Sequence, residues 1–224
     1  MKLSSLTIDA LNNFNRINPS IILHPGNVIY SRTPASEMYA MARVPDLFET
    51  KAAIGDLREF LQLLKSYDNP EVAFEEKRVI IGDDKHPTYF PYALAERIAT
   101  PNPERKPGIK GDIETSIADK TFKEFMQRGM IRKYPHVAFV IEDSSLYLRA
   151  LDFKQPSQLF TEIYLKDVGE EDPLVIGYTM ENFNRILPRN YKISISKKGP
   201  AQFVSEGGDY TFIALHVPGL GGVL

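Results

Sequence analysis

The chain has 224 residues, 43% of them hydrophobic and 25% charged, with a formal net charge of −2. That is enough apolar material for one large core or two of about 110 residues, and the slightly acidic balance excludes a uniformly basic nucleic-acid binder. Cysteine is absent, which excludes disulfides and thiol catalysis and fits a reducing cytoplasm; no run of about 18 apolar residues offers a membrane span, and Met1-Lys2-Leu3-Ser4-Ser5 does not open a secretory signal.

In chain order, the first predicted helix covers 7–18, capped by Thr7, with Ala10, Leu11, Phe14 and Ile17 on one side. It stops at Asn18-Pro19, because the residue before proline is pushed out of the helical region. Ile21 to Leu23 and Val28 to Tyr30 flank Pro25-Gly26-Asn27, a hairpin signal. A second helix over 56–67 presents Leu57, Phe60, Leu61 and Leu64, and strands at 71–74 and 78–81 follow it. A third over 119–133, capped by Asp119, carries Phe122, Phe125, Met126 and Gly129. Strands at 136–141 and 146–150 come next, split by Asp143-Ser144-Ser145. A fourth helix is expected over 180–190, with Met180, Phe183, Ile186 and Leu187 inward, followed by strands at 191–196, 201–205 and 210–217. Strands outnumber helices and cluster between them, which is an α+β pattern.

The four helices share one motif, an apolar residue, two polar ones and phenylalanine: Leu11 to Phe14, Leu57 to Phe60, Phe122 to Phe125 and Met180 to Phe183. Phe14 and Phe125 lie 111 residues apart and Phe60 and Phe183 lie 123 apart, close to half the chain. The spacing describes a helix-plus-hairpin unit used four times, with the first half duplicated. Between the halves, Thr100-Pro101-Asn102-Pro103-Glu104-Arg105-Lys106-Pro107-Gly108 reads as a semi-rigid proline-rich connector. Two similar domains are therefore expected, 1–108 including the connector and 109–224.

At about 100° per residue, the positions two before and two after each phenylalanine point away from the buried side. They hold Asn12 and Arg16, Arg58 and Gln62, Lys123 and Gln127, and Glu181 and Arg185, with Lys65 and Lys120 on the same sides. The four predicted segments sum to a charge of +4, leaving −6 for the rest. One reading is four ordinary solvated faces. The other is a shared surface of amides and cations aimed at phosphate, positioning a duplex without reading its sequence.

No enzyme signature accompanies this pattern. His24, His86, His136 and His216 are scattered without metal-ligand spacing, and there is no phosphate-binding glycine loop or nucleophile elbow. Asp83 and Asp84 could hold magnesium as paired carboxylates do, but Gly82-Asp83-Asp84 is a common turn sequence and the turn is the stronger reading. A single-stranded nucleic-acid-binding protein is the alternative class, with the 11% aromatic content supplying stacking platforms.

Met1-Lys2-Leu3-Ser4, the run from Leu11 to Asn18 and Ile54-Gly55-Asp56-Leu57-Arg58-Glu59-Phe60-Leu61 resemble the DNA polymerase sliding clamp of T-even-type bacteriophages. The resemblance covers the first 110 residues most closely, and in the second half rests on the order and spacing of elements. It implies two similar domains of two helices each on antiparallel sheets, and three subunits joined head to tail into a ring with the helices lining the hole. It further implies a processivity factor on double-stranded DNA, with no catalytic activity and no cofactor. Its partners would be the replicative polymerase and a clamp loader in the cytoplasm of the infected bacterial host. Carried onto this sequence, it makes Arg16, Arg58, Lys65, Lys120, Lys123 and Arg185 the channel-facing residues, and Ile98 and Ile109 the apolar side chains bordering a partner-peptide site. Ordinary packing on a sheet is the competing reading of both isoleucines. The apolar, glycine-rich segment from Val217 to Leu224 departs from the family's more polar end.

Overall fold

The structure is a computed structural model and describes residues 1–104, 108–155 and 160–222. By its internal contacts the chain divides into two units, Met1–Lys106 and Pro107–Leu224.

In the first unit, α1 runs Ser5–Asn15, and Ser4, extended at φ −67° and ψ 154°, is its cap. The Ser4 hydroxyl accepts the Thr7 N–H at 3.2 Å and is held in turn by Asp46, which accepts both the Ser4 N–H and Oγ–H at 2.8 Å. Thr7, expected as the cap, is instead buried one turn into the helix. Next come β1 (Ile21–Leu23), β2 (Gly26–Arg32), β3 (Met38–Phe48) and β4 (Ala52–Ile54). The expected hairpin across Pro25-Gly26-Asn27 does not form. β1 pairs antiparallel with β4, Ile22 opposite Ala53, and β2 pairs with β3. The reason is burial: every residue of β1 and β4 is buried, whereas β2 and β3 alternate, so strands with matching surroundings meet. Helix α2 (Leu57–Ser66) is capped by Asp56, whose carboxylate accepts the Glu59 N–H at 2.8 Å. Strands β5 (Val72–Phe74), β6 (Arg78–Ile81) and β7 (Thr88–Pro91) then form a meander, followed by a 3-10 turn at Ala95–Arg97.

The second unit repeats this order after an added strand, β8 (Ile113–Ile117). Helix α3 (Asp119–Ile131) starts at Ala118 rather than with an Asp119 cap; the Asp119 N–H donates instead to Asn190 Oδ1 at 2.8 Å. Strands β9 (His136–Glu142), β10 (Ser145–Leu151), β11 (Thr161–Asp167) and β12 (Leu174–Thr179) follow. They assemble in the order β11-β10-β9-β12, and the β9–β10 turn has Asp143 and Ser144 at φ 48° and 61°, the geometry of a tight hairpin. Helix α4 is only Met180–Phe183, not the eleven residues expected. Beyond it the chain tightens into i→i−3 turns ahead of Pro188, which the periodicity of Ile186 and Leu187 concealed. Strands β13 (Tyr191–Ile195), β14 (Ala201–Ser205) and β15 (Tyr210–Ala214) form the second meander, and β16 (Gly221–Gly222) adds to β12.

Much of the strand pairing repeats between the units, although β9 also pairs with β10 where β1 and β2 do not pair. First and fourth strands pair in both units, as do second and third, and the last three form a meander. β8 pairs with β13, and in the first unit Met1 takes that place by exchanging two backbone hydrogen bonds with Val72, at 2.7 and 2.9 Å. In each unit a proline carbonyl just past the first helix accepts the first N–H of the second: Pro19 from Leu57 at 2.7 Å and Pro135 from Met180 at 2.9 Å.

All eight motif residues are buried. Leu11, Phe14, Leu57, Phe60, Phe122, Phe125 and Phe183 are 0% exposed and Met180 is 7% exposed. Phe60 meets Phe90 edge-on at 5.6 Å, and Phe183 meets Phe203 edge-on at 5.5 Å, geometries that aromatic pairs favour. α3 and α4 approach closely at Gly129, where an added Cβ would lie 2.6 Å from Met180 Cε and 3.3 Å from Ala150 Cβ. Phe60→Ala should lower the free energy of unfolding by about 3–5 kcal/mol through the cavity left behind. Arg58→Ala, two residues away on the exposed face, should change it by less than about 0.5 kcal/mol. Urea denaturation of the two variants measures the contrast.

Candidate nucleic-acid interface

Burial of the motif fixes which side of each helix meets solvent. On α2, Arg58, Gln62 and Lys65 are exposed, and on α3, Lys120, Lys123 and Gln127 are exposed. Arg58, Lys120 and Lys123 make no ion pair within 4 Å among the described residues. Lys65 Nζ reaches across to Asn12 Oδ1 at 3.4 Å, and Asn12 Nδ2 donates to the Ile8 carbonyl at 2.9 Å, so an amide and a cation tie α2 to α1. Arg16 is exposed at the C-cap of α1, where its N–H serves the carbonyls of Asn13 and Phe14.

Arg185 differs from the other five. It lies past the end of α4, is half-buried, and donates to Glu181 at 2.6 Å and to Asn182 Oδ1 at 2.5 Å. Its charge is balanced by Glu181 within a single turn. Arg189, counted in the same predicted helix, lies over the Tyr210 ring at 4.8 Å.

The shorter helices also revise the charge separation. With the observed bounds, α1 to α4 carry −1, +1, +1 and −1, which cancel, so the helices proper are not basic overall. The excess sits at their C-terminal ends, in Arg16, Arg132 and Lys133, and beyond α4 in Arg185 and Arg189, and the cap Asp56 of α2 also drops out of the count. Unpaired carbonyls at a helix C-terminus attract cations, so part of the basic pattern has a structural cause. What remains for a polyanion is four exposed cations on helix faces, Arg58, Lys65, Lys120 and Lys123, joined by Arg16.

The other sequence-marked residues take structural positions. Ile98 is 8% exposed and packs on Ile22 and Ala53, with Tyr92 and Ala95 around it. Ile109 is half-buried, and its N–H donates to Gln202 Oε1 at 2.8 Å. The connector lies partly outside the described residues, at 105–107, as do 223–224 of the final segment. Asp83 and Asp84 are exposed, and Asp83 Oδ1 accepts the N–H groups of Lys85 and His86 at 2.9 and 2.8 Å, a side-chain-closed turn. Those hydrogen bonds hold the Asp83 carboxyl below the usual carboxylate range. Among the described residues no group of three or more His, Asp or Glu could hold a metal ion.

Ten of the thirteen phenylalanines are buried, which removes them as stacking platforms for single-stranded bases. Sequence reasoning did not find Asn13 and Asn182, both buried on the motif's second polar position. Their signal is the recurrence of asparagine rather than glutamate there in α1 and α4.

No family model matches the chain. Among curated proteins, it is 29% identical over 220 residues to the sliding clamp of Vibrio phage KVP40, covering 96% of this chain and 98% of the relative. The sliding clamp of Enterobacteria phage T4 is 26% identical over 221 residues, covering 94% and 95%. Solved structures agree on the fold. One protein of the PCNA2–PCNA3 complex of Sulfolobus tokodaii superposes with a TM-score of 0.67 at 16% identity, covering 96% of this chain and 99% of that one. A. fulgidus PCNA, solved with the C-terminal region of FEN-1, gives 0.69 at 12% identity with 96% of each chain covered. The DnaN sliding clamp of Pseudomonas aeruginosa gives 0.67 at 13% identity, covering 94% of this chain and 63% of that one. The α+β architecture, with its few helices on antiparallel sheets, is therefore that of the DNA sliding clamps. Within that class, the chain resembles the sliding clamps of T4-like phages along nearly its whole length.

His24 and His136 are held below the ordinary histidine range, in both cases first by burial. Lys51 adds to the effect at His24; at His136, Asp152 opposes it and Lys154 adds to it. A depressed histidine favours the neutral folded form, so its contribution is present above the unfolded value of 6.5 and lost as pH falls below it. The urea midpoint should therefore drop between about pH 7 and pH 5.5, and His24→Asn with His136→Asn should flatten that slope.

Proposed function

We propose that this chain is a DNA sliding clamp that encircles duplex DNA without reading its sequence and tethers a replicative polymerase. The observation that carries the reading is the duplicated two-helix unit with the clamp fold, together with full-length similarity to phage clamps. Three copies in a head-to-tail ring would bring the helix pairs of every unit around one hole. The cations facing the phosphates are then Arg58, Lys65, Lys120 and Lys123, with Arg16 at the edge of α1 and Arg185 muted by Glu181. Such contacts are individually weak and salt-dependent, and a clamp that must slide needs that weakness.

In this reading the clamp works by topology rather than by chemistry. A clamp loader opens the ring, no cofactor is bound and no residue acts as a catalyst. A partner peptide near the connector would meet Ile109, which is half-buried, more readily than Ile98, which is packed away. The setting is the interior of an infected bacterium, and no helix among the described residues is long and apolar enough to cross a membrane.

Light scattering after size exclusion should give three times the 25.4 kDa subunit mass; a mass that stays at one subunit at every concentration would count against the ring. Reversing Arg58→Glu and Lys123→Glu together should leave that mass and the melting temperature unchanged. Loader-dependent processive synthesis should fall several-fold, with a shallower salt dependence of retention on DNA. Unchanged processivity would remove these two residues from the channel.

A further inference from the structure

Helices α1 and α4 run out through the same five residues, Asn13-Phe14-Asn15-Arg16-Ile17 and Asn182-Phe183-Asn184-Arg185-Ile186, each followed two positions later by proline. The folded chain treats the two copies alike. Both phenylalanines are fully buried, as are both isoleucines and the first asparagine of each run. The backbone closes in the same way. The arginine N–H donates to the carbonyl of that asparagine at 3.0 Å in both copies, and the isoleucine N–H donates to the phenylalanine carbonyl at 2.9 and 3.0 Å. Of the five residues, only the arginine changes burial: Arg16 is exposed and Arg185 is half-buried.

The residue just ahead of the shared run separates the copies. It is Asn12 in the first and Glu181 in the second, each four positions before the arginine. Side chains one turn apart are neighbours on a helix face, so a carboxylate there reaches a guanidinium. Glu181 Oε1 accepts an N–H of Arg185 at 2.6 Å, and the buried amide of Asn182 accepts a second at 2.5 Å. The Glu181 side chain remains 78% exposed while that of Arg185 is reduced to 20%. Asn12 uses its amide differently, donating to the Ile8 carbonyl and accepting from Lys65 Nζ. The same motif position therefore holds a cation on the α1 side and cancels one beside α4.

We propose that Glu181 is a positioning residue that weakens the hold on duplex DNA by keeping the Arg185 guanidinium off the phosphates. The proposal rests on the clamp reading, in which the exposed helix faces meet the duplex. A single ion pair on a surface is weak and exchanges readily with solvent. A guanidinium, however, offers donors along more than one edge of a rigid plane, and here a carboxylate and a buried amide take two of them within one turn. A phosphate arriving at this face also meets the exposed carboxylate, whose like charge repels it. Removing Glu181 is thus expected to tighten the grip, whereas removing any of the exposed cations would loosen it.

Glu181→Asn tests it, because it makes the α4 run match that of α1. Phenylglyoxal modifies accessible guanidinium groups, and mass spectrometry of the digested chain reads its rate at each arginine. Arg185 should react about threefold faster in the variant than in the native protein, with the Arg16 rate and the melting temperature unchanged. An unchanged Arg185 rate overturns the proposal whether or not the protein is a clamp. On closed circular duplex DNA, the fall of log retention with log salt should steepen by about one phosphate contact in Glu181→Asn, and the steepening should vanish when Arg185→Gln is added. Equal steepening with and without Arg185 would leave Glu181 as a repelling charge alone and overturns the positioning role, as does no steepening with Arg185 in place. Native protein that leaves circular and linear duplexes equally fast counts against the clamp reading alone, and the modification rates still decide on Arg185.

Discussion

Each unit depends on a turn in which a proline ends one helix and its carbonyl receives the next helix. Proline excludes helical geometry from the residue before it, so α1 and α3 stop ahead of Pro19 and Pro135. Both prolines are exposed, and the carbonyl oxygen of each still takes its donor from within the chain. The first N–H of the second helix, an orphan in any isolated helix, is that donor in both units. One hydrogen bond thereby fixes where the second helix begins relative to where the first ended. With that origin set, burying the apolar residue and the phenylalanine of each motif leaves no freedom in which face turns outward.

This explains why the helices were legible and much of the sheet was not. Apolar-x-x-Phe at helical spacing is a local signal, and all eight residues it named are buried. The strand pairings are set by surroundings that no local window contains. β1 meets β4 thirty residues away because both are buried on two faces, so a turn sequence after β1 serves as a corner. β3 contains Pro45 and Asp46 and β11 alternates polar residues, so neither reads as an apolar run, although both pair along most of their length on either side of a bulge. α4 failed in the other direction. Ile186 and Leu187 continue the helical spacing, but Pro188 had already limited the chain to tight turns.

The candidate site shows the same division. Exposure of Arg58, Lys65, Lys120 and Lys123 followed from the motif alone. The surplus of positive charge did not survive, because it was counted over residues that prove to be helix ends. There, cations answer the carbonyls of the last turn. Glu181 beside Arg185 makes the same point, since an i, i+4 pair cancels within the protein what a simple count assigns to the surface. A field over a common surface therefore has to come from a few well-separated side chains, which suits contacts that hold a duplex loosely.

The close pass of α3 over α4 at Gly129 bears on which side chains the second unit can carry there. Where other helix positions can trade one side chain for another of similar size, position 129 has room for a hydrogen and little else while Met180 keeps its place. An alanine there would turn the terminal methyl of Met180 aside, an adjustment its flexible side chain can make, and would press Ala150 back by a few tenths of an ångström. Two residues 51 apart in sequence are thus coupled through one contact, so the side chain at 129 sets the rotamer open to Met180.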